Sequence, residues 1–216
     1  DSVVVAPFND LESTRKLIKD NSADLAAVIV EPLHRCLKPV DGFLSGLRKI
    51  TKDLGIILIF DEVVTGFRLA LGGAQEYYGV EPDLVAYGKA LGGGFPIGAF
   101  GGSEEIMQGV NESRYSKLNY TWSASTTGGN PVSCAAAIAT IKILSEQQNF
   151  DKLHDLGREF RKQLTEILIN EEKSFQVLGD GPLAQVIFTD QPVNNSRDWG
   201  AADRNKGHLL MLQLIK

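Results

Sequence analysis

The sequence predicts an α/β fold: a mainly parallel sheet with helices between its strands, followed by part of a smaller α+β unit. Three observations carry that expectation. The run Ile56-Ile57-Leu58-Ile59-Phe60 is apolar, β-branched and without polar alternation, the pattern of a strand covered on both faces. Strand-like and helix-like stretches alternate through about residue 145, as in βαβ units. Composition then shifts near Gln147, where an amphipathic helix and a hairpin pattern take over. The expected division is 1–146 for the sheet-bearing part and 147–216 for the smaller one.

Taken in order, residues 3–6 read as a strand, and Asn9 or Asp10 can cap the helix that follows, with Leu11, Leu17 and Ile18 on its inner side. Residues 25–30 form an apolar run closed by Glu31-Pro32, because proline ends regular pairing. Phe43, Leu47, Ile50 and Leu54 recur at helical spacing, and Gly55 stops that helix just past its end. A helix-sized stretch over 73–79 leads through Glu81-Pro82-Asp83 to a strand over 84–87. Residues 96–100 follow so soon that an antiparallel return is expected. Asn130-Pro131 opens an alanine- and isoleucine-rich helix, with proline where a missing N–H costs nothing. Leu153, Leu156, Phe160, Leu164, Ile167 and Leu168 mark an amphipathic helix. Residues 175–178 and 184–189 then flank a Gly179-Asp180-Gly181-Pro182 turn, and the tail from Asn194 carries a mixed helical pattern.

With 216 residues, 43% of them hydrophobic, the chain can bury a sizeable core. Its net charge of −5 offers no basic face for nucleic acid. No apolar run reaches bilayer-spanning length, and Asp1-Ser2-Val3-Val4-Val5 lacks the basic flank and long apolar core of a signal peptide. Cys36 and Cys134 fit neither a disulfide framework nor a metal motif, and His34, His154 and His208 are equally scattered. No metal site is expected, and a reducing, cytoplasmic setting is the default.

Chemistry concentrates at two strand ends. Residues 56–60 run into Asp61-Glu62, and residues 84–87 run into Gly88-Lys89 and the loop Gly92-Gly93-Gly94. Charged groups at the carboxyl ends of neighbouring strands are how open α/β sheets build sites. Such a pair suits pyridoxal phosphate: a lysine amine condenses with the aldehyde, and an aspartate keeps the pyridine nitrogen protonated. An ordinary buried ion pair is the plain alternative. An apolar strand ending in Asp-Glu also resembles the acidic strand of nucleotide hydrolases. Those proteins need Gly-x-x-x-x-Gly-Lys-Ser/Thr, whereas Gly88-Lys89 is followed by Ala90.

The segments Asp61-Glu62-Val63-Val64-Thr65-Gly66-Phe67-Arg68, Gly79-Val80-Glu81-Pro82-Asp83-Leu84 and Gly88-Lys89-Ala90-Leu91-Gly92-Gly93-Gly94-Phe95-Pro96-Ile97-Gly98-Ala99 resemble class III pyridoxal-phosphate-dependent aminotransferases. The text is most similar to glutamate-1-semialdehyde 2,1-aminomutase-like members, a subgroup strengthened by residues 72–79 and by Phe100-Gly101-Gly102. The resemblance implies the fold type I architecture of PLP-dependent transferases, with 1–146 a portion of the cofactor-binding large domain and 147–216 a portion of the small C-terminal domain. It implies amino-group transfer between a small amino acid or amine and a keto acid or aldehyde, carried out by a homodimer. Lys89 becomes the Schiff-base lysine, Asp61 the partner of the pyridine nitrogen, and Val63 a residue packed on the ring. Ser125-Thr126-Thr127-Gly128-Gly129-Asn130-Pro131 matches the family's Gly-Thr-x-x-Gly-Asn-Pro segment. That makes Thr126 a phosphate ligand reaching the neighbouring subunit's site; a simple helix-capping loop is the alternative.

Glu31-Pro32 matches too, but His34-Arg35-Cys36 departs from the glutamine or asparagine expected near the ring hydroxyl. His34 could hydrogen-bond that hydroxyl, and Arg35 could meet a substrate carboxylate, which puts strict aminomutase specificity in question. Arg68 could bind a carboxylate or form a structural salt bridge, and Trp122 could wall the pocket or simply pack. The family's Gly/Ser-rich phosphate turn and ring-stacking aromatic are not found in this sequence, which resembles a central-to-C-terminal portion of a longer enzyme. Inactivity of the 216-residue stretch alone is therefore expected. A cofactor-free remnant or interaction domain on the same scaffold is the competing reading.

Overall fold

A computed structural model describes residues 3–114, 120–125, 128–171, 174–195 and 197–215. In chain order the elements are α1 (Leu11–Asp20), β1 (Ala27–Val30), α2 (Phe43–Leu54), β2 (Ile57–Glu62), α3 (Gly73–Tyr78), β3 (Leu84–Tyr87), β4 (Ala99–Gly102), α4 (Glu104–Met107), α5 (Pro131–Leu144), α6 (Gln147–Glu171), β5 (Gln176–Leu178), β6 (Gln185–Ile187) and α7 (Arg204–Leu214). Short 3-10 turns cover Lys89–Gly92, Gln108–Val110, Glu112–Arg114 and Asp198–Ala201.

These elements group into two compact units that do not follow a single cut along the chain. One comprises Asp1–Asp20, Leu33–Phe43 and Asp151–Lys216; the other comprises Asn21–Pro32 and Leu44–Phe150. The chain passes between the units four times, at 20/21, 32/33, 43/44 and 150/151. The return of the first twenty residues and of 33–43 to the C-terminal unit left no compositional trace.

The sheet-bearing unit holds four strands in the order β1-β2-β3-β4. β1 and β2 are parallel, as are β2 and β3, while β4 returns antiparallel to β3. The antiparallel return begins at Ala99 rather than Pro96, since proline has no N–H for the ladder. Along β2, burial alternates: Leu58, Phe60 and Glu62 face inward, while Ile57, Ile59 and Asp61 are half-buried. The core gathers Leu44, Leu47 and Ile50 of α2 with Leu58, Phe60, Leu69, Ala74, Val85 and Leu91.

Asp83 locks the entrance to β3. Its backbone N–H donates to Leu58 O at 2.8 Å, and its carboxylate accepts from Leu58 N at 2.7 Å. The same Oδ2 lies 2.8 Å from Arg48 Nη1 of α2. One side chain thus ties a helix to the start of the β2/β3 pairing.

In the other unit, Asp10 caps α1 through Ser13 N at 3.0 Å. Asn9, in the left-handed region at φ 65°, donates to Lys38 O and Asn194 O and accepts from Val40 N. Three separate chain segments therefore meet on one amide. The β5/β6 hairpin is antiparallel, and Arg161 of α6 donates to Gly181 O at 2.6 Å and Leu183 O at 2.8 Å at its turn. Residues 3–6, expected to be a strand, carry no strand pairing. Val3 and Val5 are 74% and 87% exposed; an apolar run without a neighbouring edge has nothing to pair with.

Candidate active site

Asp61 and Lys89 are brought to neighbouring strand ends. Parallel pairing sets Asp61 opposite Ala86 and Glu62 opposite Tyr87, so Lys89 stands three positions beyond Asp61's partner. Asp61 Oδ1 accepts the Val63 N–H at 3.1 Å, folding the carboxylate back over its own turn. Lys89 is exposed. Its amine forms no ion pair or hydrogen bond among the described residues, and it is not paired with Asp61. The buried ion pair considered from the sequence is therefore not formed.

Lys89 has φ 43°. A side chain held in the left-handed region costs roughly 1–2 kcal/mol, and strain of this kind concentrates at functional positions. Its neighbours explain how the conformation is held. Gly88 is buried, and a Cβ there would come 3.4 Å from Val63 Cγ1. Gly93, at φ 56°, lies so near Thr140 of α5 that an added Cβ would collide with its hydroxyl. α5 packs directly against the Lys89–Gly92 turn. Val63 is half-buried beside Gly88, on the Asp61 side of the strand end.

Glu62 was not singled out from the sequence, yet it is fully buried. Its Oε2 accepts from Ala74 N at 2.5 Å and Thr65 Oγ1 at 3.0 Å, and its Oε1 accepts from Gln75 N at 3.1 Å. Burial raises its pKa, and the hydrogen bonds from Ala74, Gln75 and Thr65 oppose that rise. The available signal was position: a carboxylate next to Asp61 must face the opposite side of the strand, towards Leu58 and Phe60.

The remaining expected residues fall in different places. Thr126 lies outside the described residues. Beside it, Asn130 accepts from Val132 N at 3.0 Å and Ser133 N at 3.2 Å, capping α5 with its own side chain. Asn130 thus caps α5, and those two N–H groups are not free for an anion. His34 belongs to the unit that does not contain Asp61 and Lys89. Its ring lies tilted against Phe8, with centroids 5.5 Å apart and 39° between the planes, and its carbonyl accepts from Leu37 N at 2.8 Å. Arg35 and Cys36 between them both have positive φ, 47° and 67°, as the central residues of type I′ turns do. Arg35 lies 6.0 Å from the Trp199 ring centroid. Burial pushes the Cys36 thiol pKa up, away from thiolate chemistry. Arg68 donates to Val64 O at 2.7 Å. Trp122 is 77% exposed and does not serve as core packing.

Among the described residues, no group of histidine, cysteine and carboxylate side chains could hold a metal ion, and no helix is long and apolar enough to cross a membrane.

Comparison with known proteins agrees with this layout. The chain is 43% identical over 192 residues to a glutamate-1-semialdehyde 2,1-aminomutase of Methanosarcina acetivorans, covering 88% of this chain and 44% of that protein. It is 42% identical over 205 residues to the protein of the same name from Methanothermobacter thermautotrophicus, covering 94% and 47%. The crystal structure of an omega-transaminase from Sphaerobacter thermophilus is similar with a TM-score of 0.83 at 38% identity, over 91% of this chain and 45% of that one. A β-phenylalanine aminotransferase from Variovorax paradoxus gives 0.80 at 31% identity, over 93% and 46%. The chain therefore spans a little under half the length of these relatives, and its fold is that of fold type I transferases. The family pattern described as aminotransferase class-III matches residues 5–213, and the chain belongs to that family.

Proposed function

We propose that this chain is the lysine-bearing portion of a pyridoxal-phosphate-dependent enzyme that transfers an amino group between a small amino acid or amine and a keto acid or aldehyde, or between adjacent carbons of one substrate. The observation that carries the reading is Lys89: strained, exposed and unpaired among the described residues, at the strand end next to Asp61. The groups present fit the cofactor. An amine without an ion-pair partner suits an aldehyde. A carboxylate with one oxygen on the Val63 N–H and the other without a partner among the described residues suits a protonated ring nitrogen.

When bound, the cofactor supplies an electron sink for the substrate carbon that loses its proton. Lys89 Nζ would hold the cofactor through its aldehyde and, as a free amine, would take up and return the substrate proton. Asp61 would keep the ring nitrogen protonated, a charge held by the chain before the reaction begins. Val63 would pack on the ring. The proposal extends, on family resemblance, to Thr126 as a phosphate ligand across a homodimer, to His34 at the ring hydroxyl, and to a cytoplasmic setting. It also takes 1–146 as a portion of the large domain and 147–216 as a portion of the small one.

The test is optical. Adding pyridoxal phosphate to the protein should produce the near-visible band of a lysine–aldehyde condensation, and Lys89→Ala should abolish it. A band of equal size in Lys89→Ala would overturn the assignment.

A further inference from the structure

The pairing of β2 with β3 ends at Glu62 and Tyr87. Beyond it the two strands part, β2 into the turn that leads to α3 and β3 into Gly88 and Lys89. The last pair of a ladder is where fraying starts, and any slip there would move Lys89 relative to Asp61.

A closed ring of contacts holds this last pair. The Glu62 carboxylate takes the first N–H groups of α3, at Ala74 and Gln75. From α3, Gln75 Nε2 reaches back to donate to the Tyr87 hydroxyl at 2.6 Å. The Tyr87 ring lies against the turn that follows β2: an added Cβ on Gly66 would stand 2.5 Å from Tyr87 Cδ1, and the Phe67 ring centroid is 5.2 Å away. Thr65 in that turn closes the circuit on Glu62 Oε2 at 3.0 Å. Gly73 has no room for a side chain, because a Cβ there would collide with the Glu62 carboxylate.

Resting on the reading of Lys89 and Asp61 given above, we infer that Gln75 and Tyr87, anchored on Glu62, are positioning residues that hold the Lys89 strand end in register with Asp61. Neither touches the reacting atoms. Each acts through the strand end, Tyr87 two residues before Lys89 and Glu62 one residue after Asp61. Burial and the nearby Glu62 carboxylate raise the Tyr87 pKa, while the Gln75 hydrogen bond opposes them. The phenol therefore stays a neutral hydrogen-bonding group throughout the ordinary working range.

The test uses Tyr87→Phe, which keeps the ring against Gly66 and Phe67, together with Gln75→Leu and the double variant. Two quantities are read well below the unfolding temperature. One is amide hydrogen exchange over residues 88–92. The other is the ratio of pyridoxal phosphate trapped by borohydride on Lys89 to that trapped on the exposed Lys52. Losing one hydrogen bond should speed exchange about fivefold and lower the ratio by a similar factor, with the double variant no worse than either single one. Variants that unfold at lower temperature yet keep both exchange and ratio at wild-type values would overturn the inference, since the bond would then be structural only. Failure of the wild type to favour Lys89 over Lys52 would instead overturn the proposed role of Lys89. Exchange alone would still decide whether the ring of contacts holds the strand end.

Discussion

Lys89 and Glu62 sit one strand apart in opposite environments, and each makes a prediction of its own. Lys89 carries backbone strain, whereas glycine adopts positive φ without it. Lys89→Gly should therefore be at least as stable as Lys89→Ala in urea denaturation, reversing the usual glycine penalty of about 0.5–1 kcal/mol. A clearly less stable glycine variant would mean that the φ of 43° carries no strain. Glu62 is buried, and that burial raises its pKa above the ordinary carboxylate value. The folded state then binds the proton more tightly than the unfolded chain. Stability from that proton is present below the unfolded value and is lost as pH rises through the raised folded value. As pH rises above the ordinary carboxylate range, wild-type stability should fall relative to Glu62→Gln, which has nothing to titrate there. A stability difference independent of pH would contradict the raised pKa.

Elements set these residues in place, and Asp83 is the clearest case. It joins Arg48 of α2 to Leu58 of β2 just before β3 begins. Asp83→Ala should cost about 2 kcal/mol, the scale of a charge-assisted hydrogen bond, measured by chemical denaturation. A change within a few tenths would show that Arg48 and Leu58 find other partners. The strand β2, helix α2 with its Gly55 stop, and the β5/β6 hairpin were legible because periodicity and turn chemistry are local. The antiparallel return was legible from the short connection, although not its starting residue. What sequence could not reveal was non-local: Asn9 gathering three segments, Glu62 capping α3, and the chain crossing four times between units. Asp61 and Lys89 were legible as strand-end charges within a family pattern. Their lack of mutual pairing needed coordinates, because register and side-chain direction decide it.

At the scale of the whole molecule, much apolar surface stays open. α5 is apolar on nearly all sides, and Val132, Ile138 and Ile143 are 59%, 55% and 63% exposed. Helices of that composition are ordinarily covered, and exposed apolar patches favour association. Sedimentation velocity should show concentration-dependent association that Ile138→Glu weakens; a monomer at all concentrations would contradict this. The chain also spans less than half the length of its relatives. The most direct measurement is mass-spectrometric mapping after pyridoxal phosphate is added and reduced with borohydride. The account predicts the cofactor mass on the peptide containing Lys89, reduced in Asp61→Asn and absent in Lys89→Ala. Label spread evenly over surface lysines, with no preference for Lys89, would contradict it.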